Sequence, residues 1–178
     1  MPKILIHQDS QQRLADDDRK VLHLAENESA HSVRLPVGPV LVPLAVWRAR
    51  REDLIRRNWE HHEPLGVWLA PDEGPEAIAG DLDDLSLIAV HFPKLADGRG
   101  YSTARLLRER YGYRNELRAF GDIGQDQLFF LARVGFDSFA VKESGDDIEA
   151  SLAAFAAFPE AYQAAANEAL PLFRRRAL

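Results

Sequence analysis

The middle of the chain is organised as short apolar runs that alternate with amphipathic stretches. The apolar runs have the length of strands and occupy 40–47, 66–70, 85–92, 116–120 and 136–141. Between them, apolar residues recur every three or four positions, which is typical of a helix with one buried face. These helical stretches cover 48–59, 102–111, 125–134, a segment that starts at Asp146 or Asp147, and 160–169.

Strands and helices in alternation predict βα units with parallel strands. We therefore expect an α/β fold with a parallel sheet of about five strands. Five strands are too few for a closed eight-stranded barrel. The pattern leaves two architectures open, a partial TIM-barrel-like sheet and an open twisted sheet. Both place ligands beyond the carboxyl ends of the strands, in the loops that lead into the helices.

The two ends of the chain lack this rhythm. Residues 1–37 are polar and mixed, with at most one short strand, so we expect an N-terminal arm or cap. Residues 38–170 are expected to form a single α/β domain, and Pro36 and Gly38 mark its start. Residues 171–178 include three consecutive arginines and are expected to form a basic C-terminal tail.

Composition narrows the classes of function. Of the 178 residues, 46% are hydrophobic, which is enough for a substantial core, and the formal net charge of −6 argues against a nucleic-acid-binding protein. The absence of cysteine excludes disulfides and iron–sulfur clusters ligated by cysteine. No apolar run approaches the roughly 20 residues that a membrane span needs, and the first residues do not read as a signal peptide. We expect a cytoplasmic protein that does not contact membranes.

The connection between the third predicted strand and the following helix is rich in chemistry. It reads FPKLADGRGYS over residues 92–102. We call residues 94–102 the DGRGYS rim, and its candidate ligand-binding side chains are Lys94, Asp97, Arg99, Tyr101 and Ser102. Glycines on both sides of Arg99 would let the backbone approach a ligand, and Ser102 is a favoured N-cap residue for the helix. A guanidinium beside a helix amino end predicts a small anionic ligand.

An ordinary structural explanation of the same rim remains open. Asp-Gly and Arg-Gly are common turn dipeptides, and Asp97 can pair with Arg99 simply to stiffen the loop. Neither GxGxxG nor GxxxxGK[ST] occurs in the chain, so no phosphate fingerprint supports the ligand interpretation.

Neighbouring loops should reach the same end of the sheet. Asp122 and Gln125 follow the fourth strand, and Lys142 follows the fifth. Asp122 is a candidate acid or base, with helix capping as the alternative, while Gln125 and Lys142 are candidate ligand contacts. Arg118 lies inside the fourth strand and shares a face with Glu116, so it either lines the pocket floor or forms a buried bridge.

Histidine is the remaining candidate for proton transfer. His91, near the end of the third strand, is the best placed general acid or base among the six histidines, with a buried structural histidine as the alternative. His61 and His62 are adjacent and therefore point to different sides, so we predict a solvated surface there and no metal site.

One long stretch carries a family resemblance. Residues 91–141 read HFPKLADGRGYSTARLLRERYGYRNELRAFGDIGQDQLFFLARVGFDSFAV. This stretch resembles a bacterial family of unknown function labelled "probable oxidoreductase", whose hallmark pattern is FP…DGRGYS…LLR…GY…ELRA.GD…DQL…GFD.F. Genes of that family lie beside the haem subunit of sulfite reductase in sulfur-assimilation (cysteine biosynthesis) operons.

The resemblance implies a role in sulfite reduction without supplying a reaction or catalytic residues. Three interpretations follow. The first is an accessory protein that binds an anionic ligand, or the sulfite reductase haem subunit, through the DGRGYS rim. The second is an enzyme that acts on a small anionic metabolite, with Asp122 or His91 moving a proton, and the residues leave an FMN cofactor open. The third is a non-catalytic protein-interaction module.

Overall fold

The structure is a computed structural model that describes residues 3–8, 11–61, 64–140, 148–155, 161–166 and 168–176. Its strands are β1 (Lys3–Gln8), β2 (Gln11–Asp16), β3 (Lys20–Val21), β4 (Val40–Pro43), β5 (Leu65–Leu69), β6 (Leu87–Phe92), β7 (Glu116–Gly121) and β8 (Ser138–Ala140). Its α-helices are α1 (Leu44–His61), α2 (Arg99–Glu109), α3 (Gln125–Val134), α4 (Ile148–Ala154) and α5 (Leu172–Arg175).

All the strands belong to one sheet, in the order β2-β1-β8-β7-β6-β5-β4-β3. Strands β3 to β8 are parallel and follow one another in chain order, while β1 pairs antiparallel with both β2 and β8. Because parallel crossovers are right-handed and all step in the same direction, the connecting helices lie on one face of the sheet. The other face of the sheet is not covered by these helices and packs its own, smaller cluster of side chains.

The sheet is curled. Its edge strands β2 and β3 are joined only by residues 17–19. Four residue steps span at most about 14 Å, whereas the seven spacings between eight strands would take about 34 Å in a flat sheet. The two edges must therefore approach each other. Among the two expected architectures, this shape is nearer to the partial barrel than to an open twisted sheet.

Alternation along the strands divides the side chains between two cores. Residues facing the helices include Val42, Val67, Ile88, Val90, Leu117, Ala119 and Phe139, all fully or almost fully buried. On the concave face a smaller cluster is formed by Leu41, Leu87, Ala89 and Phe120. Gly66 also faces this side, and a larger residue would not fit there, since a Cβ would be 2.5 Å from the Leu41 side chain. The concave face is therefore packed along part of its length.

Several expectations need correction. The sheet has eight described strands rather than about five, because residues 1–37 supply three of them. One short strand was expected there, but the polar strand β2 and the two-residue strand β3 were not. The run at 40–47 is a strand only to Pro43, and α1 begins at Leu44. Helix α2 begins at Arg99 with Gly98 at its N-cap, so Ser102 is not the cap.

The carboxyl-terminal part also differs from the expectation. The described residues of 160–169 are not helical, and the short helix α5 follows them. The predicted start of the preceding helix, at Asp146 or Asp147, lies outside the described residues.

Candidate functional site

The loop after β6 is fastened to the loop after β7. The Asp122 carboxylate accepts a hydrogen bond from the Leu95 amide at 3.2 Å, and the Gln127 side chain donates to the Leu95 carbonyl at 2.8 Å. The Asp122 amide donates to the Phe92 carbonyl at 2.7 Å. Both backbone groups of Leu95 are thus held by side chains, one from the neighbouring loop and one from the first turn of α3. The DGRGYS rim is consequently a supported loop rather than a free one.

Two glycines are required here by packing around Phe92. A Cβ on Gly100 would be 2.5 Å from the Phe92 ring, so α2 passes directly over that ring. Gly121 has a φ of +112°, and a Cβ there would be 2.3 Å from the Phe92 carbonyl oxygen. Gly98, by contrast, faces open space. The glycine at 100 therefore serves helix packing, whereas the one at 98 leaves the approach to Arg99 unobstructed.

Asp97 and Arg99 form a pair within the rim. The guanidinium donates to both carboxylate oxygens, at 3.0 and 2.7 Å, and the Arg99 amide also donates to the carboxylate. The bond from Arg99 lowers the pKa of Asp97 to about 2. The Arg99 side chain is still 60% exposed, while Asp97 is only 14% exposed. The stiffening pair foreseen as the structural alternative is present, and it orients a guanidinium that remains accessible.

The other rim candidates differ in exposure. Lys94 and Ser102 are exposed, and Ser102 lies within the first turns of α2. Tyr101 is half-buried, its ring packs edge-on against Phe92 at 5.8 Å, and burial raises its pKa. Gln125 is the first residue of α3. Lys142 lies outside the described residues.

Arg118 lies on the concave face and is 1% exposed. Its guanidinium donates to Asp17 at 2.9 Å, to Glu116 at 2.8 Å and to the Ser138 hydroxyl at 3.2 Å. Burial pushes the pKa of Glu116 upward, but Arg118 and Ser138 outweigh it and leave this pKa below its usual value. Arg118 therefore forms the buried bridge that was one of the two expected alternatives, and its guanidinium donates to groups on the concave face of the sheet.

His91 occupies the carboxyl end of the concave face. Its ring stacks on Phe120 with centroids 4.9 Å apart and meets the edge of Trp68 at 5.8 Å. Trp68 in turn contacts His23 and donates to the Leu22 carbonyl at 2.9 Å. Burial, and secondarily the charge of His23, lowers the pKa of His91. A half-buried imidazole that is neutral near pH 7 can accept a proton.

The described residues contain neither a candidate metal site nor a candidate membrane-spanning helix. Within them, no group of three or more histidine, aspartate or glutamate side chains is arranged to hold a metal ion. None of the described helices is long and apolar enough to cross a membrane.

Comparison with known families places the chain. A model for a bacterial protein of unknown function, DUF934, matches residues 66–173. The chain belongs to the DUF934 family. No curated protein matches the sequence. The region shared with DUF934 contains the DGRGYS rim, His91 and Arg118, whereas Asp17 and His23, which contact the concave face from the amino-terminal segment, lie outside it.

In this DUF934 protein the candidate residues fall into three groups. Asp97 and Arg99 are joined in the rim, and Asp122 supports that rim from the next loop. His91 belongs to the aromatic cluster on the concave face, and Arg118 is committed to its buried bridge. Sequence reasoning placed Asp122 at the correct loop but missed its contact with Leu95, which involves a backbone amide.

Some contributors were missed altogether. Asp17 is hidden in a run of three aspartates, and nothing in the apolar run at 66–70 distinguishes Trp68 as a contact of His91. Gln127 was not considered, although its spacing from Gly124 is that of a capping box, and its side chain does accept from the Gly124 amide at 3.1 Å. That spacing is the signal from which Gln127 could have been found.

Proposed function

We propose that this protein is an accessory protein of assimilatory sulfite reduction that docks on the sulfite reductase haem subunit through the DGRGYS rim. The resemblance of residues 91–141 supplies the biological context. The accessible guanidinium of Arg99, oriented by Asp97, is the observation that carries the docking role.

A fixed and exposed arginine suits protein recognition. Ordering a long side chain costs binding free energy, and Asp97 has already restricted Arg99. Arginine is also enriched among the residues that dominate interface energetics. Lys94 adds a second exposed cation on the same loop. Positive groups that stand out from the surface favour an acidic patch on a partner over a small enclosed ligand.

The loop itself is preorganised. Asp122 and Gln127 hold Leu95 near the start of the rim. Asp97 and Arg99 bond to each other further along it, so docking would not need to order this segment. Most pre-organised interfaces move little on binding. Support of the rim from a neighbouring loop therefore favours a binding surface over an accidental turn.

The test is binding of the purified chain to the sulfite reductase haem subunit. Native mass spectrometry of the mixture would reveal a complex and any small molecule retained in it. Biolayer interferometry would then compare Arg99→Glu and Lys94→Glu with a control, Arg110→Glu, at the exposed far end of α2. We expect each rim variant to weaken binding at least roughly tenfold and the control to retain it, with affinity falling as salt rises.

Two results would contradict the proposal. One is the absence of any complex between wild-type protein and the haem subunit. The other is equal binding by Arg99→Glu and Arg110→Glu, which would place the interface elsewhere.

His91 favours a second candidate, an enzyme acting on a small anionic metabolite. In the described part of the chain no hydrogen-bond partner holds its ring nitrogens, and the ring lies at the carboxyl end of β6, where α/β enzymes keep reactive groups. Its lowered pKa leaves it neutral and able to accept a proton. Proton NMR of the His91 ring during titration with sulfite tests this candidate, which fails if the ring signals do not respond. Visible absorbance of the purified protein tests for a flavin.

A further inference from the structure

A cavity lies at the end of the sheet opposite the DGRGYS rim. It measures about 280 Å³ and is bordered by Glu116 and Ser138, the first residues of β7 and β8, and by Asp137 just before β8. Ile6 and Arg13 of the neighbouring strands β1 and β2 also line it, and Ile6 is paired with Ser138. Its volume is just below the usual range of small-molecule pockets, which suits a very small ligand.

The acidic groups of this cavity are already satisfied. Glu116 accepts from Arg118 at 2.8 Å and from the Ser138 hydroxyl at 2.6 Å. Asp137 accepts from Arg108, which is 10% exposed, and from the Leu117 amide at 2.8 Å. Each carboxylate is therefore paired with an arginine that is largely buried and does not line the cavity, Glu116 with Arg118 and Asp137 with Arg108. They do not remain as bare negative charges that would repel an anion.

The basic groups of the cavity are unsatisfied. Arg13 and Arg114 line it and are exposed, and no acidic side chain in the described ranges pairs with either of them. Arg19 does not line the cavity, and its guanidinium lies 3.9 Å from Glu116. Arg13 and Arg114 are therefore the positive groups that are open to a ligand here.

The charged side chains that line the cavity differ in whether they are paired. Glu116 and Asp137 are each paired with an arginine that does not line the cavity. Arg13 and Arg114 have no acidic partner among the described residues. Two positive side chains are therefore available to a ligand here, in a protein whose formal net charge is −6.

We propose that this cavity binds a small oxyanion with two negative charges, of the sulfate, sulfite or phosphate class, between Arg13 and Arg114. The guanidinium fork matches two oxygens of such an anion, and two forks match its charge. The site is separate from the DGRGYS rim and does not depend on the docking role proposed for it. The anion could be free, or it could be the terminal group of a phosphate monoester.

The test is isothermal titration calorimetry with sulfate, sulfite, inorganic phosphate and glycerol 3-phosphate, with chloride as the blank. The variants are Arg13→Ala and Arg114→Ala, and the matched control is Arg48→Ala, an exposed arginine on α1 that does not line the cavity. We expect each cavity variant to bind roughly tenfold more weakly than wild type and the control to bind normally. Circular dichroism should show all three variants folded, because the side chains are exposed.

Arg99→Ala separates this site from the rim. Its affinity for the oxyanions should equal that of wild type. The proposal is overturned if no oxyanion binds the wild-type protein, if the cavity variants bind as tightly as Arg48→Ala, or if Arg99→Ala alone abolishes binding. Tighter binding of the inorganic anions supports a free oxyanion in the cavity, and tighter binding of glycerol 3-phosphate supports the terminal group of a larger molecule.

Discussion

Replacing Arg118 by methionine tests the buried bridge most directly. Methionine fills much of the same space, so the change removes charge and donors without leaving a large void. The lost bonds to Asp17 and Glu116, at 2.9 and 2.8 Å, are both charge-assisted and worth about 1.5–3 kcal/mol each. Removal of one partner from a buried ion pair costs about 3–5 kcal/mol. The two estimates agree, so we expect a loss of about 3–5 kcal/mol in the free energy of unfolding at pH 7.

The loss should depend on pH in a defined direction. In the wild type, Arg118 and Ser138 hold the pKa of Glu116 below its usual value. The stability from this group is present above its unfolded pKa of about 4.3 and disappears as pH falls through the folded pKa. Without Arg118, burial raises the pKa of Glu116, so the variant gains stability from protonation as the pH falls. The difference between the two proteins should therefore shrink from pH 7 towards pH 4.

Urea unfolding followed by tryptophan fluorescence measures both effects. The control is Arg105→Met, which breaks an exposed pair with Glu109 and should cost no more than about 0.5 kcal/mol. Adding Glu116→Gln and Asp17→Asn to Arg118→Met should restore much of the stability, because no buried charge is then left alone. The reasoning is refuted if Arg118→Met costs no more than the control, or if its cost is the same at both pH values.

Three further predictions concern the carboxyl end of the sheet. In urea titrations, Gly121→Ala should lower the unfolding free energy by about 2 kcal/mol or more, because residue 121 has a φ of +112° and faces the Phe92 carbonyl. The control Gly98→Ala should change it by less than about 1 kcal/mol. Equal effects of the two variants would contradict this packing. Asp122→Ala should speed amide hydrogen exchange at Leu95, since that amide loses its acceptor, and unchanged exchange would disprove the support of the rim. In an NMR titration, the His91 ring should show a midpoint below 6.5. The contribution of His91 to the free energy of unfolding should be complete above pH 6.5 and should decline as the pH falls through its folded pKa. A midpoint above 6.5 would show that burial does not dominate the pKa of His91.

The parallel core could be predicted from sequence because its signals are local. The strand at β6 is apolar on both faces, and α3 was predicted with its observed bounds of 125–134. The strands at the edge could not be found in the same way. The polar sequence of β2 has few apolar positions, and its strand character comes from pairing with β1, which no local pattern reports.

The candidate site was predictable only in part, for the same physical reason. The Asp97–Arg99 pair spans two residues and was foreseen as an alternative. The partner of Arg118 is Asp17, which lies 101 residues away along the chain, and only the curl of the sheet brings them together. Long-range pairings of this kind depend on the completed topology, so residue chemistry alone could name Arg118 but not its partner.

The pairing of β1 with β8 also bears on how the chain folds as it is synthesised. Leu5 faces Phe139, so the first strand emerges from the ribosome long before the strand that receives it. A lone two-stranded hairpin is at best marginally stable in water, and closing so large a loop delays folding. The amino-terminal hairpin should consequently stay unstructured on the nascent chain until β8 has been translated.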